Sequence, residues 1–372
     1  MTEKESTLST PTDVAWQLAG AISAVFAVEH ITTGRGDGQV IHLQGRLLAD
    51  SKQAYDHMAA RFEHYGYTPL LRQQSGHVLV VAIPVIFAAK PGRAYAAILL
   101  LALTVLSVLF AGALMQDPDW RGILRHPLSG LPFAVGLLSI LIAHELGHYS
   151  MSRRLGMVAT LPYFIPMPLS PFGTMGAVIR TRTPTRNRRQ LLALGASGPI
   201  AGLSVAIPIL ILGLLRSKVQ LIPMQPGIQL QMEGNSLLYA VLKFLVFRQL
   251  LPHHGYDVFL HPLAFAAWAG LLITGLNLTP AGQLDGGHIA YALFGQNTRW
   301  LNRLAVLAAT VLGLIWSGWF LFAAILFLLG QRNAQPLDDV TPLTRGQRVL
   351  AVCMLGVFAL LFTPVPLSIL NP

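Results

Sequence analysis

An apolar run that begins at Leu131 and continues through Ile142 leads directly into His144-Glu145-Leu146-Gly147-His148. Without those polar residues the segment would read as a membrane-spanning helix of the roughly 20 residues a bilayer requires. An ionisable side chain in such a segment is costly, about 2.5 to 3.5 kcal/mol for Asp at a helix centre on insertion scales, so the triplet marks a functional site. In HExxH on a helix the two histidines lie four residues apart, project from one face and can both bind Zn2+. The glutamate between them reaches the attacking water. The alternative is a pair of histidines satisfied by backbone or water alone.

The rest of the chain supports a membrane setting. It is 53% hydrophobic and only 11% charged, with further apolar runs near the spanning length, so the expected fold class is a polytopic α-helical membrane protein with about six transmembrane helices. The apolar stretch Val14 to Val28 contains Gln17, has only Lys4 upstream and precedes no convincing cleavage site, which argues against a cleaved signal peptide. The net charge is +10, but the arginines concentrate in one polar loop, so the surplus reads as topology and contact with the lipid bilayer rather than nucleic-acid binding. Cys353 is the only cysteine, so any zinc is held by histidine and carboxylate.

Two domains are expected. Residues 1–90 read as a small soluble α+β region in which strands Val40 to Leu48 and His77 to Ile86 flank an amphipathic helix. Ser51 can cap that helix, Tyr55, Met58, Ala59 and Phe62 line its apolar face, and Tyr65-Gly66-Tyr67 before Pro69 ends it. Residues 91–372 form the membrane domain, with spans over Ala94 to Met115, Leu131 to Ser150 and Leu191 to Leu215. A fourth span starts near Leu263, breaks at Asn277-Leu278-Thr279-Pro280 and resumes over Asp285 to Phe294. Leu304 to Leu329 is read as one long span, with a hairpin turning at Ser317-Gly318 as the alternative, and Arg348 to Leu361 is the last.

From Met151 to Gln190 the chain carries Arg153, Arg154, Arg180, Arg182, Arg186, Arg188 and Arg189 and no acidic residue, so this loop is expected on the cytoplasmic side. Within it, Leu161 to Ile179 is apolar but rich in proline, which disfavours a helix. A small membrane-associated β element is expected there instead. The small residues of Gly195-Ala-Ser-Gly198-Pro-Ile-Ala-Gly202 permit close helix packing.

Two histidines leave a catalytic zinc one protein ligand short of the usual three. Asp285, which follows Asn277-Leu-Thr-Pro280 and precedes Gly286-Gly287, supplies a carboxylate at membrane depth beside a helix break, whereas Asp257, Asp117 and Glu233 fall in expected aqueous loops. His288 shares the helical face of Asp285 and is the alternative ligand.

HELGH within a span, followed far downstream by Asn277, Pro280, Asp285 and Gly286, resembles the site-2 protease family of intramembrane zinc metallopeptidases. The Pro-rich loop with Pro171-Phe-Gly173-Thr-Met-Gly176 and the Ser197-Gly-Pro-Ile-Ala-Gly202 element are similar as well. Most alike is the bacterial and chloroplast branch related to the ethylene-dependent gravitropism-deficient proteins. Where that branch tends to carry Gly-Asn-Leu-Arg, this chain has only Gly45-Arg46-Leu47. The resemblance implies His144, His148 and Asp285 as zinc ligands and Glu145 as general base in regulated intramembrane proteolysis. The substrates expected are single-pass or polytopic membrane proteins in a bacterial plasma membrane or an organelle membrane.

A spanning helix hides its peptide bonds, so a substrate must unwind before attack. Gly173, Thr174 and Gly176, on a strand reaching Ile179, are candidates to hold the extended segment by β-augmentation. Asn277 is a candidate donor to the substrate backbone, with helix unwinding at Asn-x-x-Pro as the equal alternative. Other classes compatible with buried polar residues are a transporter or channel and a catalytically inactive membrane chaperone.

Overall fold

The computed structural model describes residues 11–34, 39–74, 76–87, 94–117, 119–179, 181, 183–223, 230–329 and 335–370. Lys4, Arg180 and Arg182 lie outside these residues. The chain divides into two units, the first made of the described parts of 1–89, 183–191 and 335–344.

In the first unit, α1 (Pro11–Ala21), β1 (Phe26–Thr33), β2 (Ile41–Leu47), α2 (Ser51–Glu63), β3 (Thr68–Gln74) and β4 (His77–Ile83) follow one another. The strands form an antiparallel sheet in the order β1-β2-β4-β3. Period-two burial along β2 and β4 places Ile41, Leu43, Val78, Val80 and Ala82 in one core with Leu18 of α1 and Met58 and Phe62 of α2. Asp50, not Ser51, caps α2 by accepting from the Lys52 N–H, while the Ser51 and Thr341 hydroxyls pair at 2.9 Å. The apolar stretch from Val14 is split between α1 and β1.

Short segments from far along the chain complete this unit. Leu71 of β3 donates its N–H to the Leu337 carbonyl at 2.8 Å and accepts from the Asp339 N–H at 3.1 Å. The Asp338 and Leu337 amides in turn donate to the Arg186 and Thr185 carbonyls. Arg188 Nε reaches the buried Asp339 carboxylate at 2.8 Å.

Among the described residues of the second unit, three helices are long and apolar enough to cross a membrane: α3 (Ala94–Gln116), α5 (Leu131–Arg154) and α6 (Arg188–Leu214). A six-residue helix, α4 (Trp120–Arg125), capped by Asp119, lies between the first two. The Pro-rich loop folds as an antiparallel hairpin of β5 (Tyr163–Pro166) and β6 (Thr174–Val178). α8 (Pro262–Asn277) is almost wholly buried because glycines let its neighbours approach: a Cβ at Gly213 of α6 would overlap the Ala264 backbone, and one at Gly270 would meet Ile140 of α5 at 2.8 Å. The helix stops at Asn277 and resumes as α9 (Asp285–Phe294).

One expectation fails beyond α9. The single span over Leu304 to Leu329 is divided into α10 (Thr298–Leu312) and α11 (Gly318–Leu329), joined by a turn at 313–317. Ala305, Val306 and Ala309 of α10 pack on Trp319, Ala323 and Leu326 of α11, so the pair is a hairpin. α12 (Arg345–Leu361) closes the helical order.

The region 216–262 combines short strands with one helix. It holds β7 (Lys218–Leu221) paired with β9 (Tyr256–Phe259), β8 (Leu230–Glu233) paired with the C-terminal β10 (Leu367–Leu370), and α7 (Leu237–Phe247). Glu233 and Asp257 are not solvated loop carboxylates. Asp257 is buried and the side chain of the half-buried Glu233 is largely covered, with Lys243 Nζ 3.8 Å from each, and Tyr239 donates its hydroxyl to Glu233 at 2.9 Å. Burial pushes the Glu233 carboxyl upward against the attraction of Lys243. Removing one partner of such a cluster leaves uncompensated buried charge, so Lys243→Met is expected to lower unfolding stability by about 3 to 5 kcal/mol. An unfolding midpoint in detergent equal to that of wild type would contradict this account of the cluster.

Candidate metal centre

α5 carries His144 and His148 one turn apart, and the first turn of α9 carries Asp285. Glycines set their approach. A Cβ at Gly198 of α6 would overlap the His148 ring at Nε2, and one at Gly202 would stand 3.2 Å from His144. At Gly286 a Cβ would overlap the Leu278 carbonyl, so the Asp285-Gly286-Gly287 sequence lets the chain fold back tightly after the break at Asn277. The small-residue element of α6 thus works through packing, and what it packs against is the histidine pair.

The donor atoms converge. His144 Nε2 lies 3.2 Å from Asp285 Oδ2 and 3.2 Å from His148 Nε2, and His148 Nε2 lies 3.2 Å from Asp285 Oδ1 and 3.3 Å from Oδ2. His148 Nδ1 is 2.9 Å from the Leu194 carbonyl, which can only accept, so that nitrogen carries the proton and Nε2 presents a lone pair when the ring is neutral. Lone pairs and a carboxylate facing one another at these distances repel unless a proton or a metal ion lies among them. Zinc bound tetrahedrally at about 2.0 to 2.1 Å separates its ligand atoms by roughly 3.3 Å, and the three edges observed have that length. Among the described residues, His144, His148 and Asp285 form a group able to hold a metal ion. The donor chemistry and spacing fit zinc, with three protein ligands and room for a fourth.

That room is a cavity of about 330 Å3. Glu145 faces it beside the histidines and is itself buried, and Asn277 lines it at the C-terminal end of α8. His288 lines the same cavity but is not among the converging donors. The hairpin contributes Ala177, Val178 and the following Ile179, whereas Gly173, Thr174 and Gly176 do not line it. Their polar groups are engaged within the fold: Gly173 accepts from the Ser107 hydroxyl at 2.6 Å, and Thr174 donates to the Ile165 carbonyl at 2.9 Å and accepts from the Gly176 N–H at 3.1 Å. Sequence reasoning missed Ser152, which the α5 spacing places one turn beyond His148 on the cavity wall. It also missed Ile325 and Leu326 of α11, because the single-span reading hid the hairpin that brings them there.

The family profile of "Peptidase family M50" matches residues 132–317, half of the 372. The chain belongs to peptidase family M50, the site-2 protease type. Its curated relatives include "Probable zinc metalloprotease EGY2, chloroplastic" of Arabidopsis thaliana, 31% identical over 64% of this chain and 42% of that protein. "Probable zinc metalloprotease EGY1, chloroplastic" of the same plant is 29% identical over 68% of this chain and 46% of its own length. "Probable zinc metalloprotease EGY3, chloroplastic" of Oryza sativa subsp. indica is 28% identical over 61% and 42%. The chain therefore spans less than half the length of these relatives. No solved structure matches it.

The packing around the rings predicts a graded effect. Gly198→Ala should displace His148 and abolish stoichiometric metal, while Gly202→Ala, whose new methyl meets His144 only at 3.2 Å, should retain most of it. Metal analysis of the purified variants checks this, and full occupancy in Gly198→Ala would refute it.

Proposed function

We propose that this chain is a zinc metalloendopeptidase that hydrolyses peptide bonds within or near the transmembrane segments of membrane-protein substrates. The observation that carries the reading is the convergence of His144, His148 and Asp285 beside Glu145 in a cavity flanked by apolar helices. The three relatives named above, each called a probable zinc metalloprotease, agree with it.

Zn2+ held by the three ligands supplies a Lewis acid that polarises the scissile carbonyl and acidifies the attacking water. Glu145 takes the water's proton and delivers it to the leaving amine. The backbone of β6 through Ile179 borders the cavity and offers main-chain groups to an extended substrate segment, now through Ala177 to Ile179 rather than Gly173, Thr174 and Gly176. Asn277, which lines the same cavity, is our candidate donor to the substrate backbone. Substrates are then membrane proteins whose spanning helix unwinds locally to become extended.

The protein domain is divided near residue 90, with 183–191 and 335–344 folding with the N-terminal region. In our reading six segments enter the membrane: α3, α5, α6, α8 with α9, the α10–α11 hairpin, and α12. The packing of α10 on α11 supports counting that pair as one re-entrant hairpin. The excess of arginine over 151–190 supports a cytoplasmic side, or the equivalent side of an organelle membrane, for that loop and for the active site.

Glu145→Gln should keep its metal and lose cleavage of a model single-pass substrate in vesicles by at least about 100-fold. Equal turnover by wild type and variant would remove Glu145 from the mechanism. Cleavage by neither, with metal bound in both, would favour a non-enzymatic membrane protein.

A further inference from the structure

The loop that delivers Asp285 is anchored from outside the metal site. Residues 278–284 connect α8 to α9, and within them Gly282 adopts a φ of 59°, a left-handed conformation natural to glycine. Its N–H donates to Asn302 Oδ1 at 2.9 Å, from the second turn of α10. Beside this bond, Ala281 and Leu284 of the loop pack in one apolar cluster with Ala305, Val306 and Ala309 of α10 and Trp319, Ala323 and Leu326 of α11. Such packing holds the loop down but tolerates sliding, because dispersion and burial have no direction. The Gly282–Asn302 bond is directional and sets the register.

That register reaches the metal ligand through backbone. The Gly282 carbonyl lies so close to Gly287 that a Cβ there would overlap it, and Gly286 stands equally close to the Leu278 carbonyl. The first turn of α9, which begins with Asp285, is thus wedged against the loop that Asn302 fixes. Metal ligands must be held within about 0.5 Å of their working geometry, and supporting hydrogen bonds commonly provide that precision. Without an acceptor, the Gly282 N–H would be left unpaired in the cavity wall, and the peptide would turn to recover a partner.

We propose that Asn302 is a positioning residue for the metal centre: by accepting from Gly282 N–H it fixes where the Asp285 carboxylate stands. The α10–α11 hairpin is then a brace for the second metal-binding element, and Asn302 is its polar point of contact. This rests on the metal assignment made above.

The test uses the full chain in detergent, with Asn302→Leu, which removes the acceptor, and Asn302→Asp, which keeps one. Zinc affinity is measured by competition with a chelator, and the Co2+-substituted protein is examined by visible absorption, which reports ligand geometry. Asn302→Leu should bind zinc about 10- to 100-fold more weakly and show an altered Co2+ spectrum, and Asn302→Asp should restore both. Should Asn302→Leu not fold, Asn302→Ala enters the same comparison. Wild-type affinity and spectrum in the variant lacking the acceptor, even with a lowered melting temperature, would reduce Asn302 to a structural contact and overturn the proposal. Absence of metal binding by wild type would instead overturn the metal assignment itself.

Discussion

Two imidazole nitrogens and a carboxylate held 3.2 to 3.3 Å apart in an apolar interior need a proton or a metal ion among them to be stable, and much of the surrounding chain follows from keeping them there. The cost of such a cluster rises as water is excluded, since neither charge nor lone pair finds solvent partners. A divalent cation reverses the balance, because three ligand atoms then share one attraction. The site therefore needs rigid placement of its donors more than it needs polar surroundings.

Rigid placement comes from small residues. Gly198 and Gly202 remove the side chains that would push the rings off α6, and Gly286 removes the one that would hold α9 away from the loop before it. Each is a position where the absence of a Cβ shapes the chemistry. The leucine-rich helix faces around them supply burial, while the carbonyl of Leu194 orients the His148 ring from the opposite edge. Helix packing and ligand geometry are in this sense one arrangement.

What the sequence disclosed about this arrangement was local or chemically unusual. The i, i+4 spacing of His144 and His148 is dictated by helical geometry, and a carboxylate beside Asn277-Leu-Thr-Pro280 has few structural reasons to exist at membrane depth, so Asp285 could be named before its position was seen. The β hairpin was legible from proline density. Features that depend on long-range contact were not. Ser317-Gly318 offered the turn between α10 and α11 only as an alternative, because the apolar run around it is long enough to read as one span. The burial of Glu233 and Asp257 around Lys243 was not legible, because the two carboxylates come from separate strands. Gly173, Thr174 and Gly176 attracted attention as strand-edge residues, yet their groups are spent on α3 and on the hairpin itself, leaving the cavity to Ala177, Val178 and Ile179.

The edge of β3 is finished by residues 337–339, more than 260 positions further along the chain than Leu71, which they flank. During biosynthesis that edge therefore stays bare while the helices up to α11 are made, exposing backbone donors and acceptors that an unrelated strand could pair with. Closing so large a loop is also slow relative to the local pairing of β1 with β2. The sheet of the first unit thus emerges well before the residues that complete it, and stays unfinished until the chain has been made as far as residue 339.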